Sequence, residues 1–223
     1  LEKEITLRFL KARKKDGFLN VISIFSFIGI SLGVAVLIIV MSVMNGFRTE
    51  LINKIIGFNA HVSIQPYSNP IDKSKTNNED VQLLADDLIY TNSGEGVLFH
   101  KNNTKGLVLR GYSKEDFLKL DFIKKENFIG DPRQLTDNKI SIGRNLSLDY
   151  DLNIGDKVSI LSTSGVQTII GELPKQENYL ISSIFDSGLA DFDRNIAFLN
   201  INSLENLFDL DTSTRKIEIY LSD

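Results

Sequence analysis

Few residues in this chain have types that could do chemistry, and their spacing decides what they can do. Gly29-x-Ser31-x-Gly33 spells the pattern of a hydrolase nucleophile elbow, a strand-to-helix turn that lifts a serine above a soluble sheet. The residues around it form a long uncharged apolar run, which offers neither the strand nor the turn. Small-residue helix packing is the better account. His61 and His100 each stand alone in a short alternating segment, where a single imidazole reads as structural rather than as a metal ligand. Asp186, Asp191 and Asp193 make a local acidic group, but a calcium loop needs oxygen ligands at alternating positions and a closing Glu. They read as a solvated turn between two strands. The chain has no cysteine, which removes disulfides, thiolate metal sites and cysteine nucleophiles together. It has neither a G-x-x-x-x-G-K-[ST] loop nor a strand-linked G-x-G-x-x-G, so the chain is not itself an ATPase. Serines and lysines are abundant, but a Ser-Lys hydrolase needs the pair in contact, which spacing does not supply. The reading is of a non-enzyme with no catalytic residue, no metal and no cofactor of its own.

What must be positioned is therefore surface rather than chemistry, and charge patterning shows how. Residues 1–16 carry Lys3, Arg8, Lys11, Arg13, Lys14 and Lys15 against Glu2, Glu4 and Asp16. This basic head of +3 leaves −7 for the body, since the whole chain sums to −4. Between head and body, residues 17–47 hold no charge at all. About twenty apolar residues at about 1.5 Å rise cross the hydrocarbon core, so this run is long enough for a transmembrane helix. It is too long for a signal-peptide core, and 44–47 is a poor cleavage site. Lys11, Arg13, Lys14 and Lys15 precede the run whereas only Arg48 and Lys54 closely follow it, which places the N-terminus in the cytoplasm. The acidic body has no basic stripe after Arg48, so it is no nucleic-acid surface. Leu1 in place of Met reads as a trimmed N-terminus or as a sequence that starts late.

Within the span, Ser26, Gly29 and Gly33 share one helix face and permit close approach of another helix. Before it, Leu1, Ile5, Phe9 and Ala12 recur at helical spacing among basic residues, which predicts an interfacial helix over 1–16. After it, Phe47, Leu51, Ile52, Ile55 and Ile56 carry an apolar stripe to Gly57, which predicts a stalk over 48–57 following the span at 17–47. A solvated linker is the alternative. From 58 to 223 the pattern becomes α+β. Strands are predicted at 61–65, 96–100, 107–111, 157–161, 179–185, 196–200 and 216–221, and helices at 79–87, 114–120, 143–150 and 203–208 with Ser203 as cap. Residues 67–78 read as a loop, and a turn at Gly130-Asp131-Pro132 sets off a second lobe at about 130–180.

Several stretches together resemble one family. These are Phe9-Leu10-Lys11-Ala12-Arg13 with Asp16-Gly17-Phe18, the span at 28–35, and Val40-Met41-Ser42-Val43-Met44-Asn45-Gly46-Phe47. Further on come Ile142-Gly143-Arg144-Asn145-Leu146, Gly155-Asp156-Lys157-Val158 and Ile184-Phe185-Asp186-Ser187-Gly188. The chain resembles the LolC/LolE membrane subunits of lipoprotein-releasing ABC transporters, over nearly its whole length. The resemblance implies a transmembrane helix followed by a MacB-like periplasmic domain of mixed sheet and helices in two lobes. It implies a four-span permease of the bacterial inner membrane, this chain ending before the second span. The implied partners are a cytoplasmic ATPase subunit that binds ATP and Mg, a second LolC/LolE-type membrane subunit, a periplasmic carrier and the lipoprotein substrate. The family's carrier-docking hook is similar to 169–179, with Gly171, Leu173 and Pro174 at its turn and Glu172, Lys175 and Gln176 among the polar residues of its tip. Pro174 fixes φ and lacks a donor, while the charged residues solvate the tip. An ordinary β-hairpin loop explains the same residues. Val40, Met41, Met44, Phe47 and Leu51 occupy the position where acyl chains would be held, methionine suiting varied lipid tails, and each also fits plain lipid-facing packing. The alternatives to lipoprotein release are a MacB-like mechanotransmission permease of the efflux type and a single-pass sensor with a ligand-binding ectodomain.

Overall fold

A computed structural model describes residues 2–5, 17–67, 70–71, 85–124, 128–168 and 171–221. The chain divides into two compact units, 1–52 and 53–223. Within the first, residues 2–5 are helical, and the rest of the interfacial helix expected before the span lies outside the described residues. Helix α1 (Gly17–Phe58) carries the apolar run. Its segment 21–52 is long and apolar enough to cross a membrane, and none of it is buried within the protein. The side chains from Val21 to Glu50 are all exposed, the pattern of an apolar helix whose faces are left for lipid or another protein.

In the second unit the described residues form a nine-stranded mixed sheet. Its strands are β1 (Val62–Ile64), β2 (Ala85–His100), β3 (Asn103–Tyr112), β4 (Phe128–Gly130), β5 (Lys139–Gly143), β6 (Lys157–Thr168), β7 (Gly171–Phe185), β8 (Ile196–Asn200) and β9 (Lys216–Leu221). The order across the sheet is β1-β9-β2-β3-β8-β5-β7-β4, and β6 pairs with both β2 and β7. The β3–β8 and β5–β7 pairs are parallel and the others antiparallel. Five short helices accompany it: α2 (Lys114–Phe117), α3 (Asp121–Lys124), α4 (Arg144–Tyr150), α5 (Ala190–Asn195) and α6 (Ile201–Phe208). Residues 130–180 contribute β5, β6 and most of β7 to this same sheet.

Two cores form because successive strand residues point to opposite faces. On β8, Ala197 and Leu199 join Leu98, Leu109, Ile142, Leu146 and Leu204 in one cluster. Phe198, between them, joins Ile89, Tyr112, Phe117, Phe122 and Phe185 in the other. There the Phe198 ring centroid lies 5.0 to 5.8 Å from those of Phe185, Phe117, Phe122 and Tyr112, the tilted and offset spacing that aromatic quadrupoles favour.

Several boundaries differ from the sequence reading. Residues 85–87, read as the end of a helix, open the sixteen-residue strand β2, and 79–84 lie outside the described residues. Strand β2 was legible only at 96–100 because Thr91, Asn92 and Ser93 interrupt its apolar pattern. Thr91 and Asn92 are buried, with the Thr91 hydroxyl donating to the Gly111 carbonyl at 2.8 Å. Strands β4 and β5 and helix α5 were not foreseen. Helix α6 starts two residues early, because Asn200 rather than Ser203 caps it by accepting from the Asn202 amide.

Candidate functional site

Two surfaces and one buried polar cluster stand out. On α1, residues three and four apart share a face. On an ideal helix, at about 100° per residue, Ser26, Gly29, Gly33, Val40, Met44, Phe47 and Leu51 fall within about 60° of one another. Met41 stands about 100° further round. One stripe thus runs from small residues at its N-terminal half to large, flexible ones at its C-terminal half. A Cβ placed on Gly29 or Gly33 meets nothing within 4 Å among the described residues. Val40, Met41, Met44 and Phe47 are exposed, and Leu51 half-buried.

The second surface is the arm formed by β6 and β7. Its inner part belongs to the sheet: Gly96 to Phe99 of β2 pair with Ser162 to Ser159 of β6. Beyond Ser162, β6 has only β7 for a partner, and β7 from Gly171 to Gln176 has only β6, among the described residues. Register shifts between Leu161 and Gly165, so Ser162, Thr163 and Ser164 bulge out where the arm leaves the sheet. A bulge bends its strand and leaves ladder groups unpaired. Here side chains stand in: the Lys175 amide donates to the Ser162 hydroxyl at 3.1 Å, and the Thr163 hydroxyl donates to the Glu95 carbonyl at 2.6 Å. Pro174, opposite Gly165, sits beside this bulge, one of the few strand positions that tolerate a missing donor.

The structure refines where the six hook residues fall. Thr168 pairs with Gly171, and residues 169–170 between them lie outside the described residues. Gly171, Glu172, Leu173 and Pro174 belong to the outgoing strand, opposite Thr168, Gln167, Val166 and Gly165. Leu173 is 51% exposed, and Pro174 and Gln176 are exposed. Lys175, read as a charge that solvates the tip, does something else. Its ammonium donates to the Asn206 carbonyl at 2.8 Å and to Asn206 Oδ1 at 2.7 Å, with Glu177 at 3.9 Å. Beside it, Asp137, Asn138, Glu177, Tyr179, Asn202, Ser203 and Asn206 line a polar cavity of about 180 Å³. Burial, with the nearby Glu177 charge, pushes the Tyr179 hydroxyl well up.

The buried cluster was not found from the sequence. Glu218 on β9 receives Arg110 Nη2 at 2.5 Å, the Tyr112 hydroxyl at 2.9 Å and the Tyr220 hydroxyl at 3.3 Å. Arg110 Nη1 donates to Asn59 Oδ1 at 3.3 Å, just after the end of α1. Burial holds the Tyr112 hydroxyl well above its ordinary range, and Arg110 stays firmly charged beside Tyr112 and Glu218. With its carboxylate oxygens engaged as acceptors, Glu218 serves as a tie rather than a base. The available signal was a lone Arg and a lone Glu set among apolar strand residues, Leu109-Arg110-Gly111 and Ile217-Glu218-Ile219.

The acidic turn also differs from expectation. Asp193 is only 1% exposed; its carboxylate accepts from the Ser187 hydroxyl at 2.6 Å and amide at 3.0 Å, which is what allows a charge there. Asp186 accepts from Arg144 at 2.8 Å. Neither histidine is idle: His61 Nδ1 accepts from the Leu221 amide at 3.2 Å, and His100 Nδ1 lies 3.1 Å from the Lys157 carbonyl. Among the described residues no group of three or more His, Asp or Glu side chains is arranged to hold a metal.

An exposed apolar helix joined in sequence to a mixed-sheet domain with a self-paired arm is an architecture of binding surfaces. The chain belongs to the MacB-like periplasmic core domain family, whose model matches residues 23–223. Among the curated proteins it resembles are lipoprotein-releasing system transmembrane proteins. It is 26% identical over 216 residues to the lipoprotein-releasing system transmembrane protein LolC of Xylella fastidiosa, covering 94% of this chain and 52% of that protein. It is 26% identical over 230 residues to LolC of Neisseria meningitidis, covering 100% of this chain and 55% of that one. LolE of Haemophilus influenzae is 25% identical over 170 residues, covering 70% of this chain and 39% of that one. The chain thus spans about half the length of the LolC proteins it matches. The LolC/LolE resemblance read from the sequence is borne out. Among solved structures, the periplasmic region of MacB from Actinobacillus actinomycetemcomitans aligns with a TM-score of 0.45 at 10% identity, covering 75% of this chain and 78% of that one.

Proposed function

We propose that this chain is part of the membrane subunit of an ABC transporter that extracts lipoproteins from the bacterial inner membrane and passes them to a periplasmic carrier. The observation that carries the reading is the end-to-end similarity to LolC proteins, 94% and 100% of the chain in two of them. The N-terminus is cytoplasmic and the mixed-sheet domain periplasmic. ATP hydrolysis belongs to a separate cytoplasmic ATPase subunit, and a second LolC/LolE-type subunit completes the membrane part. In this scheme the outer stretch of α1, with Val40, Met41, Met44, Phe47 and Leu51, meets the acyl chains. The arm bearing Gly171, Glu172, Leu173, Pro174, Lys175 and Gln176 docks the carrier, its exposed Leu173 supplying the apolar contact that a docking tip requires. Ser26, Gly29 and Gly33 admit the neighbouring membrane helix.

Capture of the carrier by the full-length subunit tests the reading. Leu173→Asp combined with Pro174→Glu should abolish capture, and a photocrosslinker at Met44 should label lipoprotein. Undiminished capture by the double variant sinks the docking assignment. The second reading, an efflux-type permease that only transmits ATPase motion, draws on the MacB-like family model. It predicts no lipoprotein crosslink from Met44 and no ATP-driven lipoprotein release from proteoliposomes.

A further inference from the structure

The arm has no sheet beneath it, yet its base is fixed by contacts that a free hairpin would not need. An isolated two-stranded hairpin is marginal in water, and a bulge at its root adds a bend. From Thr163 outward the arm's backbone ladder is with itself alone among the described residues, the Thr163 hydroxyl still reaching the Glu95 carbonyl of β2. Lys175 spans this root from both of its ends. Its backbone amide, which the bulge has taken out of the ladder, goes to the buried Ser162 hydroxyl. Its ammonium reaches sideways to α6, onto the carbonyl and side-chain oxygens of Asn206.

The place it lands is chemically suited to a cation. The last four carbonyls of a helix have no intrahelical partner and carry the negative end of the dipole. Both the Asp209 and the Leu210 amides turn back to the Glu205 carbonyl, which leaves the Asn206 carbonyl for Lys175. Helix α6 is a firm anchor for it. Leu204, Leu207 and Phe208 are buried, and the Phe208 ring lies flush on Gly94, where a Cβ would come within 2.7 Å. The Glu205 carboxylate takes a bidentate pair from Arg215 at 2.6 and 2.8 Å and a third bond from Asn92 at 3.1 Å.

From this geometry we infer that Lys175 is a positioning residue: it locks the angle of the arm to the sheet by clamping the arm's root to the C-terminal turn of α6. The link to carrier docking rests on the function proposed above. The clamp itself does not. Without the ammonium, the bulge at 162–164 is a hinge and the arm samples many directions; with it, the tip is presented in one. Preorganisation of this kind lowers the ordering cost of binding without adding a contact.

The test uses the full-length subunit in nanodiscs, diluted with unlabelled protein so that distances within one chain are read. The described segment is free of cysteine, so spin labels at Leu173→Cys and Asn202→Cys report arm against α6 by pulsed EPR. Lys175→Met keeps the aliphatic stem and removes the ammonium. Its distance distribution should broaden about twofold with the domain's thermal midpoint unchanged, and Lys175→Arg, which still donates, should restore the narrow distribution. Carrier affinity should fall about tenfold in Lys175→Met and recover in Lys175→Arg. An unchanged distribution in Lys175→Met overturns the clamp. A broadened distribution with unchanged carrier affinity upholds the clamp and overturns the docking role of the arm.

Discussion

At the scale of single residues, the domain keeps charges where an apolar core would be expected and makes each of them depend on a neighbour. Asp186, just after β7, and Asp193, on α5, are driven in opposite directions. The hydrogen bond from Arg144 holds the Asp186 carboxyl below its ordinary value, whereas burial pushes Asp193 up. Their linkage to folding has opposite sign. The contribution of Asp186 is present above the unfolded value of about 3.9 and is lost as pH falls through its lower folded value. That of Asp193 is full below about 3.9 and is lost as pH rises through its higher folded value. Between them they favour the fold most near pH about 4. Asp193→Asn removes the second dependence, while Asp186, which also interacts with Asp193, keeps Arg144 as its main partner. Urea unfolding of the domain should therefore show the variant gaining stability relative to the wild type as pH rises from about 4, then holding a constant difference once Asp193 is fully ionised. A difference that shrinks with rising pH would contradict the burial of this carboxyl as the ruling influence.

At the scale of elements, close backbone approaches set how helices seat on the sheet. Gly143 ends β5 and precedes the first residue of α4, and a Cβ there would stand 2.1 Å from the Asp193 carbonyl oxygen. The obstacle is backbone, so it cannot swing aside, and α5 would have to move off the sheet. Gly143→Ala should cost about 2 kcal/mol or more, seen as a lowered urea midpoint with unchanged slope. A loss under about 0.5 kcal/mol would show that α5 yields freely. The sequence marks this glycine as the start of a helix and as part of the family-like stretch 142–146, but not as crowded, because the residues that crowd it lie fifty positions away. The same limit explains the rest of what was missed. The run 157–161 was legible because one face is buried, and 179–185 and 216–221 because they are short, largely apolar runs buried on both faces over most of their length. Strand β2 was not, since buried Thr91 and Asn92 find their partners on Gly111, Glu205 and Thr214, all remote in sequence. The candidate arm could be located from the sequence, but Lys175 looked like a solubilising charge until Asn206, thirty-one residues on, was placed beside it.

At the scale of the whole molecule, charge and length together constrain how the chain meets a bilayer. The segment 21–52 has 32 residues, about 48 Å of helix against a hydrocarbon core of about 30 Å. The surplus must emerge on one side or both. At the N-terminal end sits the basic head; at the other, Arg48 and Glu50 are the first charges after the run. The cheapest placement keeps both ends in polar surroundings, so the helix projects at its C-terminal end and brings Met44, Phe47 and Leu51 towards the outer headgroups. Under the proposed function, that is where a lipoprotein's acyl chains would be gripped. The placement depends on the head staying in the cytoplasm, where a +3 excess favours it. Single cysteines test this in a segment that has none. Asn102→Cys, in the exposed turn between β2 and β3, should react with a membrane-impermeant maleimide in spheroplasts. Lys14→Cys should react only after the membrane is permeabilised. Neutralising Lys11, Arg13, Lys14 and Lys15 together should weaken this bias, so that a fraction of the Asn102→Cys sites becomes shielded. Labelling of Lys14→Cys in intact spheroplasts would reverse the orientation, putting both the arm and the methionine face on the side away from any periplasmic carrier.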